Sequence, residues 1–287
     1  MRIVLSACPL VPKAFRGRFH RDPNFSCFLR SNRSEILAPR FPFGRIWRSK
    51  AQPALAALYR NSVTNTMSLS YPEPTVFPAK EEHKATVIIL HGLGDTAAGW
   101  ASLANMFSIP GVKFIFPTAP MRPITLNMGM VMTGWYDISS LEEVNQKEDE
   151  QGIRESWRYV EGLVAQEEAS GIPSSKVVVG GFSQGGAIAM MAARSDKKFA
   201  GIVGLSTYVP LRDDAGGIVS EANRTTPILM CHGKSDMVIN FEYGSGSANL
   251  LSEKGASVSF KEYPYMGHEA CIEELEAVKE FLGAAVQ

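Results

Sequence analysis

Short, continuous apolar runs recur between residues 85 and 263, and segments with helical periodicity separate them. A run that is apolar at every position is typical of a strand buried on both faces of a sheet. The predicted strands are 85–91, 112–116, 176–180, 202–205, 227–230 and 258–263. Because strands that alternate with helices form parallel sheets, we predict an α/β fold with a mostly parallel central sheet and helices on both faces.

A G-x-S-x-G motif occupies residues 181–185, between the predicted strand 176–180 and a helix pattern over 187–193. In this strand–turn–helix context the motif is typical of a nucleophile elbow, a sharp turn that exposes its serine. The flanking glycines permit such a turn. We therefore predict Ser183 as a catalytic nucleophile.

A serine hydroxyl is a weak nucleophile and needs a general base. His268 follows the predicted strand 258–263, and Asp236 follows the predicted strand 227–230. The carboxyl ends of parallel strands meet at one edge of a sheet, so both side chains can approach Ser183. The chain order Ser, Asp, His is also the order of an α/β-hydrolase triad. We predict His268 as the base and Asp236 as the acid that orients it.

Other acid and base candidates are less suitable. Asp137 lies in an irregular segment, and His232 precedes a glycine at a strand end, where a packing role near the acid loop is expected. Cys231 beside His232 has no separate acid to orient the pair. The chain has no C-x-x-C motif and no two histidines with helical metal-ligand spacing, so we predict no metal and no cofactor.

A tetrahedral intermediate requires hydrogen-bond donors near the nucleophile. The residue after the nucleophile normally supplies one backbone N–H, which is that of Gln184. The second should come from the glycine-containing loop 91–95 after the first long strand. We predict that Leu93 N–H is this second donor.

Several motifs occur in order along the chain: Leu90-His91-Gly92-Leu93-Gly94-Asp95, Pro117-Thr118-Ala119-Pro120, Gly134-Trp135-Tyr136-Asp137, Gly180-Gly181-Phe182-Ser183-Gln184-Gly185-Gly186, Cys231-His232-Gly233 and Gly267-His268. Together they resemble the acyl-protein thioesterase/lysophospholipase family of α/β-hydrolases, also called phospholipase/carboxylesterase. The resemblance runs from about residue 84 to the end.

The resemblance implies hydrolysis of S-palmitoyl thioesters on proteins and slower hydrolysis of lysophospholipids and small carboxylic esters, without a metal or cofactor. It implies an α/β-hydrolase without a large lid domain, acting as a monomer or weak dimer. No cysteine lies near Met67 to carry a lipid, so at most peripheral membrane contact is expected. Two alternatives remain: a non-catalytic receptor or carrier with this fold, and a carboxylesterase with no protein substrate.

An acyl chain needs an apolar channel. The irregular segment 118–138 is rich in methionine, which suits an adaptable groove. We expect this segment and Leu93 to line or cover the channel. The predicted substrate-binding residues are Leu93, Ile124, Leu126, Met128, Met130 and Trp135.

The zero net charge of the chain conceals an asymmetry. Residues 1–66 hold twelve Lys and Arg and two acidic residues, a net +10, so the remaining residues carry −10. An Arg-rich, acid-poor segment is typical of an organelle transit peptide or of a disordered extension, and Met67 is an alternative start. The basic residues come with no folded module, so we predict no nucleic-acid partner.

The predicted domain organisation therefore has three parts: a basic extension over 1–66, a linker over 67–83 and an α/β-hydrolase domain over 84–287. The longest apolar runs fall far short of the roughly 20 residues that span a bilayer. We expect a cytoplasmic enzyme, or a mitochondrial or plastid one if residues 1–66 act as a transit peptide.

Overall fold

The computed structural model of the protein describes residues 69–141 and 147–287. The predicted basic extension over 1–66 lies outside the described residues. The strands are β1 Thr75–Phe77, β2 Ala85–Leu90, β3 Val112–Phe116, β4 Met121–Ile124, β5 Met130–Thr133, β6 Val177–Phe182, β7 Gly201–Leu205, β8 Pro227–Gly233 and β9 Ser257–Tyr263. Seven of them form a sheet in the order β1-β3-β2-β6-β7-β8-β9, and β4 pairs with β5 in a separate hairpin.

Strands β3, β2, β6, β7, β8 and β9 are mutually parallel, and β1 pairs antiparallel with β3 at one edge. Every residue of β2, β6 and β7 is buried. These strands are covered on both faces, which explains why their sequences are continuously apolar. The mostly parallel sheet predicted from the sequence is confirmed.

Helices lie on both faces of the sheet. They are α1 Ala97–Trp100, α2 Leu103–Phe107, α3 Glu150–Ala169, α4 Gln184–Met190, α5 Phe241–Glu253 and α6 Ile272–Ala285. On β2, Ile88 belongs to the apolar cluster that includes α3, α4 and α5, whereas Val87 belongs to the cluster that includes α1, α2 and α6. Alternate strand residues thus contribute to two separate cores, as expected for an α/β-hydrolase.

The described connections contain short turns and the β4–β5 hairpin but no separate lid domain. None of the helices in residues 69–141 and 147–287 combines the length and apolar composition that crossing a membrane requires.

The predicted linker over 67–83 contains an edge strand. Within it, β1 pairs with β3 so that Val76 lies opposite Ile115. The domain therefore starts before the predicted boundary at residue 84. A strand of three residues near prolines is too short to show a recognisable sequence pattern. Only its pairing with β3 identifies it as a strand.

Helix α6 buries a carboxyl group without a partner. Glu274 is fully buried, and neither of its carboxylate oxygens has a hydrogen-bond partner among the described residues. Burial in apolar surroundings disfavours the ionised form and raises the pKa of Glu274 to about 8. Below that pH the folded protein keeps this carboxyl neutral, whereas the unfolded chain ionises it near pH 4.5.

We expect Glu274→Gln to stabilise the protein increasingly as the pH rises from about 4.5 to 8. The unfolded state loses a proton that the folded state retains, so wild-type stability falls relative to the variant by up to about 1.4 kcal/mol per pH unit. Urea unfolding at pH 5 and pH 8 measures this difference. Glu276→Gln, on the exposed side of α6, is the control and should show no such trend. A pH-independent difference for Glu274→Gln would contradict the expectation.

Candidate active site

The turn between β6 and α4 forms a strained elbow. Ser183 has φ 53° and ψ −121°, a region that residues with side chains rarely adopt. Its backbone N–H donates to Leu205 O at 2.8 Å, which holds the turn against β7. A Cβ atom on Gly185 would overlap the carbonyl oxygens of Leu90 and His91, so only glycine fits there. The strain is maintained by these close backbone contacts.

The structure brings the three predicted triad residues into one chain of hydrogen bonds. His268 Nδ1 lies 2.7 Å from Asp236 Oδ2, and His268 Nε2 lies 2.9 Å from Ser183 Oγ. A carboxylate can only accept, so Nδ1 carries the proton and Nε2 is free to accept from the serine hydroxyl. The side chains of His268 and Asp236 are 8% and 0% exposed, which keeps this chain away from bulk water.

The acid is held by its own loop. Val238 N–H and Ile239 N–H donate to Asp236 Oδ1 at 2.8 and 2.9 Å. Burial acts to raise the pKa of Asp236, but hydrogen bonds from His232, His268 and the Val238 amide outweigh it and bring the pKa well below its usual range. Asp236 is therefore ionised at neutral pH, which is the form that could stabilise a protonated histidine.

His232 packs against the loop that carries Asp236, in agreement with the packing role predicted for it. Its Nε2 lies 2.9 Å from Ile239 O and 3.3 Å from Asp236 Oδ2. The side chain is 1% exposed. Asp137, the alternative acid, instead accepts from the backbone N–H and the hydroxyl of Thr125.

The two predicted oxyanion donors lie on segments that meet at Ser183. A Cβ atom on Gly92 would lie 3.5 Å from Ser183 Cβ, so the loop that carries Leu93 borders the nucleophile. Neither Leu93 N–H nor Gln184 N–H donates to an acceptor within residues 69–141 and 147–287. Both amides are thus available to a ligand, as an oxyanion hole requires.

The side chain of Gln184 has a role that the sequence did not predict. Its Oε1 accepts from Trp135 N at 2.8 Å, and its Nε2 donates to Tyr136 O at 2.7 Å. Trp135 Nε1 in turn donates to His91 O at 2.8 Å. The segment at Trp135 therefore ties the elbow to the Leu93 loop. The only sequence signal for this contact is the glutamine next to the nucleophile. That signal does not show that the glutamine side chain binds the backbone of Trp135 and Tyr136.

The predicted channel residues separate into two groups. Ile124 and Trp135 are fully buried, and Leu93 and Leu126 are partly buried against the core. Met128 and Met130 are instead exposed on the β4–β5 hairpin, by 93% and 49%.

Backbone geometry and a polar group explain this separation. Met128 lies with φ 56° in the turn between β4 and β5, where its side chain is exposed to solvent. Trp135 was predicted to line the channel, but its indole N–H requires an acceptor and finds one inside the core, at His91 O.

Comparison with known proteins identifies the family of this chain. The sequence profile of the phospholipase/carboxylesterase family matches residues 72–286. The chain belongs to the phospholipase/carboxylesterase family. The resemblance noted from the sequence motifs is thereby confirmed, and the match starts close to β1.

Similar proteins are named acyl-protein thioesterases. Acyl-protein thioesterase 1 of Neurospora crassa is 46% identical over 226 residues, which cover 75% of this chain and 92% of that protein. Acyl-protein thioesterase 1 of Gibberella zeae is 44% identical, covering 75% and 97%. The crystal structure of Zea mays acyl-protein thioesterase 2 has a TM-score of 0.67 at 32% identity, covering 76% of this chain and all of that one.

Proposed function

We propose that this protein is a serine hydrolase that cleaves S-palmitoyl and related fatty acyl thioesters from protein cysteines. The observation that carries the proposal is the hydrogen-bond chain from Ser183 through His268 to Asp236. It occurs in a member of a family whose similar relatives are named acyl-protein thioesterases.

In the proposed mechanism, Ser183 Oγ attacks the acyl carbonyl while His268 Nε2 takes its proton. Asp236 stabilises the resulting imidazolium, and Leu93 N–H and Gln184 N–H bind the oxyanion. The carbon–sulfur bond then breaks, and the departing cysteine sulfur takes the proton from His268. Water, deprotonated by His268, then attacks the acyl-enzyme. The bond between the acyl carbon and Ser183 Oγ breaks, His268 returns the proton to Oγ, and the fatty acid is released.

The chemistry suits a thioester. A cysteine thiol has a pKa of about 8.5, so its thiolate leaves more readily than an alkoxide. The same groups can hydrolyse oxygen esters, and we propose lysophospholipids and small carboxylic esters as further substrates.

For the acyl chain we propose a path that begins at the side chain of Leu93, on the loop 91–95 that carries the second proposed oxyanion donor. A Cβ atom on Gly134 would lie 3.1 Å from both Leu93 Cδ1 and Ile124 Cδ1, which supports an apolar surface next to the nucleophile. Leu126, Met130 and the exposed Met128 extend it along the hairpin. Trp135 would support this surface from the core.

For the setting of the enzyme we propose a monomer or weak dimer with at most peripheral membrane contact and no nucleic-acid partner. The enzyme domain would act in the cytoplasm. If residues 1–66 serve as a transit peptide, it would act in mitochondria or plastids instead.

A comparison of two substrates tests the proposed substrate class. We expect the protein to release palmitate from an S-palmitoylated protein with a higher kcat/KM than it shows for p-nitrophenyl acetate. Turnover of the ester without release from the S-palmitoylated protein would instead identify a small-molecule carboxylesterase. If folded protein hydrolysed neither substrate, the result would favour a carrier and contradict the proposed enzyme activity.

A further inference from the structure

His91 is a buried histidine directly after β2 that takes no part in the triad. Its side chain is held between two backbone groups and is 1% exposed. Nδ1 lies 2.6 Å from Gly92 O, and Ala119 N–H donates to Nε2 at 3.0 Å. Both ring nitrogens therefore have partners on the chain.

These partners define the proton position on the ring. A backbone N–H can only donate, so His91 Nε2 is an acceptor and the proton resides on Nδ1. The Nδ1–H then donates to Gly92 O. Burial lowers the pKa of His91, and the contacts with Gly92 and Asp95 only partly oppose this effect. The ring is neutral in this one tautomer.

The bond to Gly92 O also determines the direction of the next amide. Gly92 C=O and Leu93 N–H belong to the same planar peptide unit, and the described residues contain no cis peptide bond. In a trans peptide the C=O and N–H bonds point in opposite directions. Turning Gly92 O toward the His91 ring therefore turns Leu93 N–H away from it, on the loop that borders Ser183.

We propose that His91 is a positioning residue that aims the Leu93 N–H at the oxyanion by anchoring the Gly92 carbonyl, an inference that rests on the proposed hydrolase function. Asp95 N–H also donates to Gly92 O, but at 3.2 Å, a longer distance than the 2.6 Å of the histidine bond. Without the histidine bond, the peptide unit between Gly92 and Leu93 could rotate. The Leu93 N–H would then no longer point toward the oxyanion.

Two substitutions of His91 separate this role from simple packing. In His91→Asn, the amide nitrogen can occupy the position of Nδ1 and still donate to Gly92 O. In His91→Gln, the longer side chain reaches the position of Nε2 and accepts from Ala119 N–H, but it leaves Gly92 O without its anchor. A packing role predicts that the more similar volume of Gln is tolerated better, whereas the positioning role predicts that Asn is.

The test uses the full chain and p-nitrophenyl butyrate. We expect His91→Gln to lower kcat by about 10- to 100-fold, less than the 10²–10³ that follows outright loss of one oxyanion donor, with KM changed less than threefold. His91→Asn should restore most of kcat. Affinity for an alkyl trifluoromethyl ketone, which forms a tetrahedral adduct with the serine, should fall in parallel with kcat, and affinity for the fatty acid product should not.

Equal kcat values for the two variants, or a loss that appears in KM and in fatty acid affinity, would overturn the positioning role. Unfolding of both variants at the assay temperature would overturn it as well, because His91 would then serve the core alone. Absence of turnover by the wild-type protein is a distinct result, since it contradicts the hydrolase function itself.

Discussion

Ser183→Ala is expected to lower kcat for thioester hydrolysis by about five to six orders of magnitude. The substitution removes the Oγ that lies 2.9 Å from His268 Nε2, so no acyl-enzyme can form. The proposed oxyanion donors and binding surface would remain, and they would account for the small residual rate. Hydrolysis of an S-palmitoylated protein under single-turnover conditions measures the loss.

Ser206→Ala is the matched control for this substitution. Ser206 follows the adjacent strand β7, is fully buried and has a similar backbone φ of 47°. Its hydroxyl has no hydrogen-bond partner among the described residues and lies outside the triad. Its removal should leave kcat within a few-fold of wild type. A Ser183→Ala protein with a near-normal rate would remove Ser183 from the mechanism.

Asp236→Asn is expected to lower kcat by about 10⁴-fold at neutral pH while the protein stays folded. The loop determines how the asparagine sits. Val238 N–H and Ile239 N–H now donate to Oδ1 and will select the amide oxygen, so the NH₂ group faces His268. His268 Nδ1 must then accept, which places the ring proton on Nε2, facing the serine. A base that already carries this proton cannot take another from Ser183.

Asp137→Asn, the same substitution at the alternative acid candidate, controls for the removal of a carboxylate charge. Asp137 binds Thr125, not the triad, so the control should keep kcat close to wild type. The measurement is kcat at pH 7.5 together with thermal unfolding of both variants. If Asp236→Asn kept full activity, or if Asp137→Asn lost as much, the assignment of the acid would be contradicted.

The sequence predicted that three side chains would come together, as the structure shows, because each of them follows a strand of a parallel sheet. Apolar runs identify such strands locally, and their carboxyl ends must meet at one edge, so Ser183, Asp236 and His268 could be grouped without coordinates. The order of the three along the chain added a second, independent restriction.

Features that depend on tertiary pairing could not be predicted in the same way. β1 is defined by its register with β3, and the exposure of Met128 by the pairing of β4 with β5 on either side of it. The burial of Glu274 is equally hidden, because a charged side chain on an amphipathic helix is expected on the exposed face, whereas Glu274 lies on the buried face with Leu275 and Val278. The link from Gln184 to Trp135 joins residues 49 positions apart.

The central claim is that Ser183 is an activated nucleophile, and labelling with a fluorophosphonate tests it most directly. The reagent phosphonylates a serine that is deprotonated by a neighbouring base and leaves ordinary serines unmodified. Peptide mass spectrometry of the labelled, folded protein should locate the adduct on Ser183, and the Ser183→Ala variant should carry none. Folded wild-type protein that remains unlabelled, or that is labelled at another serine, would contradict the account.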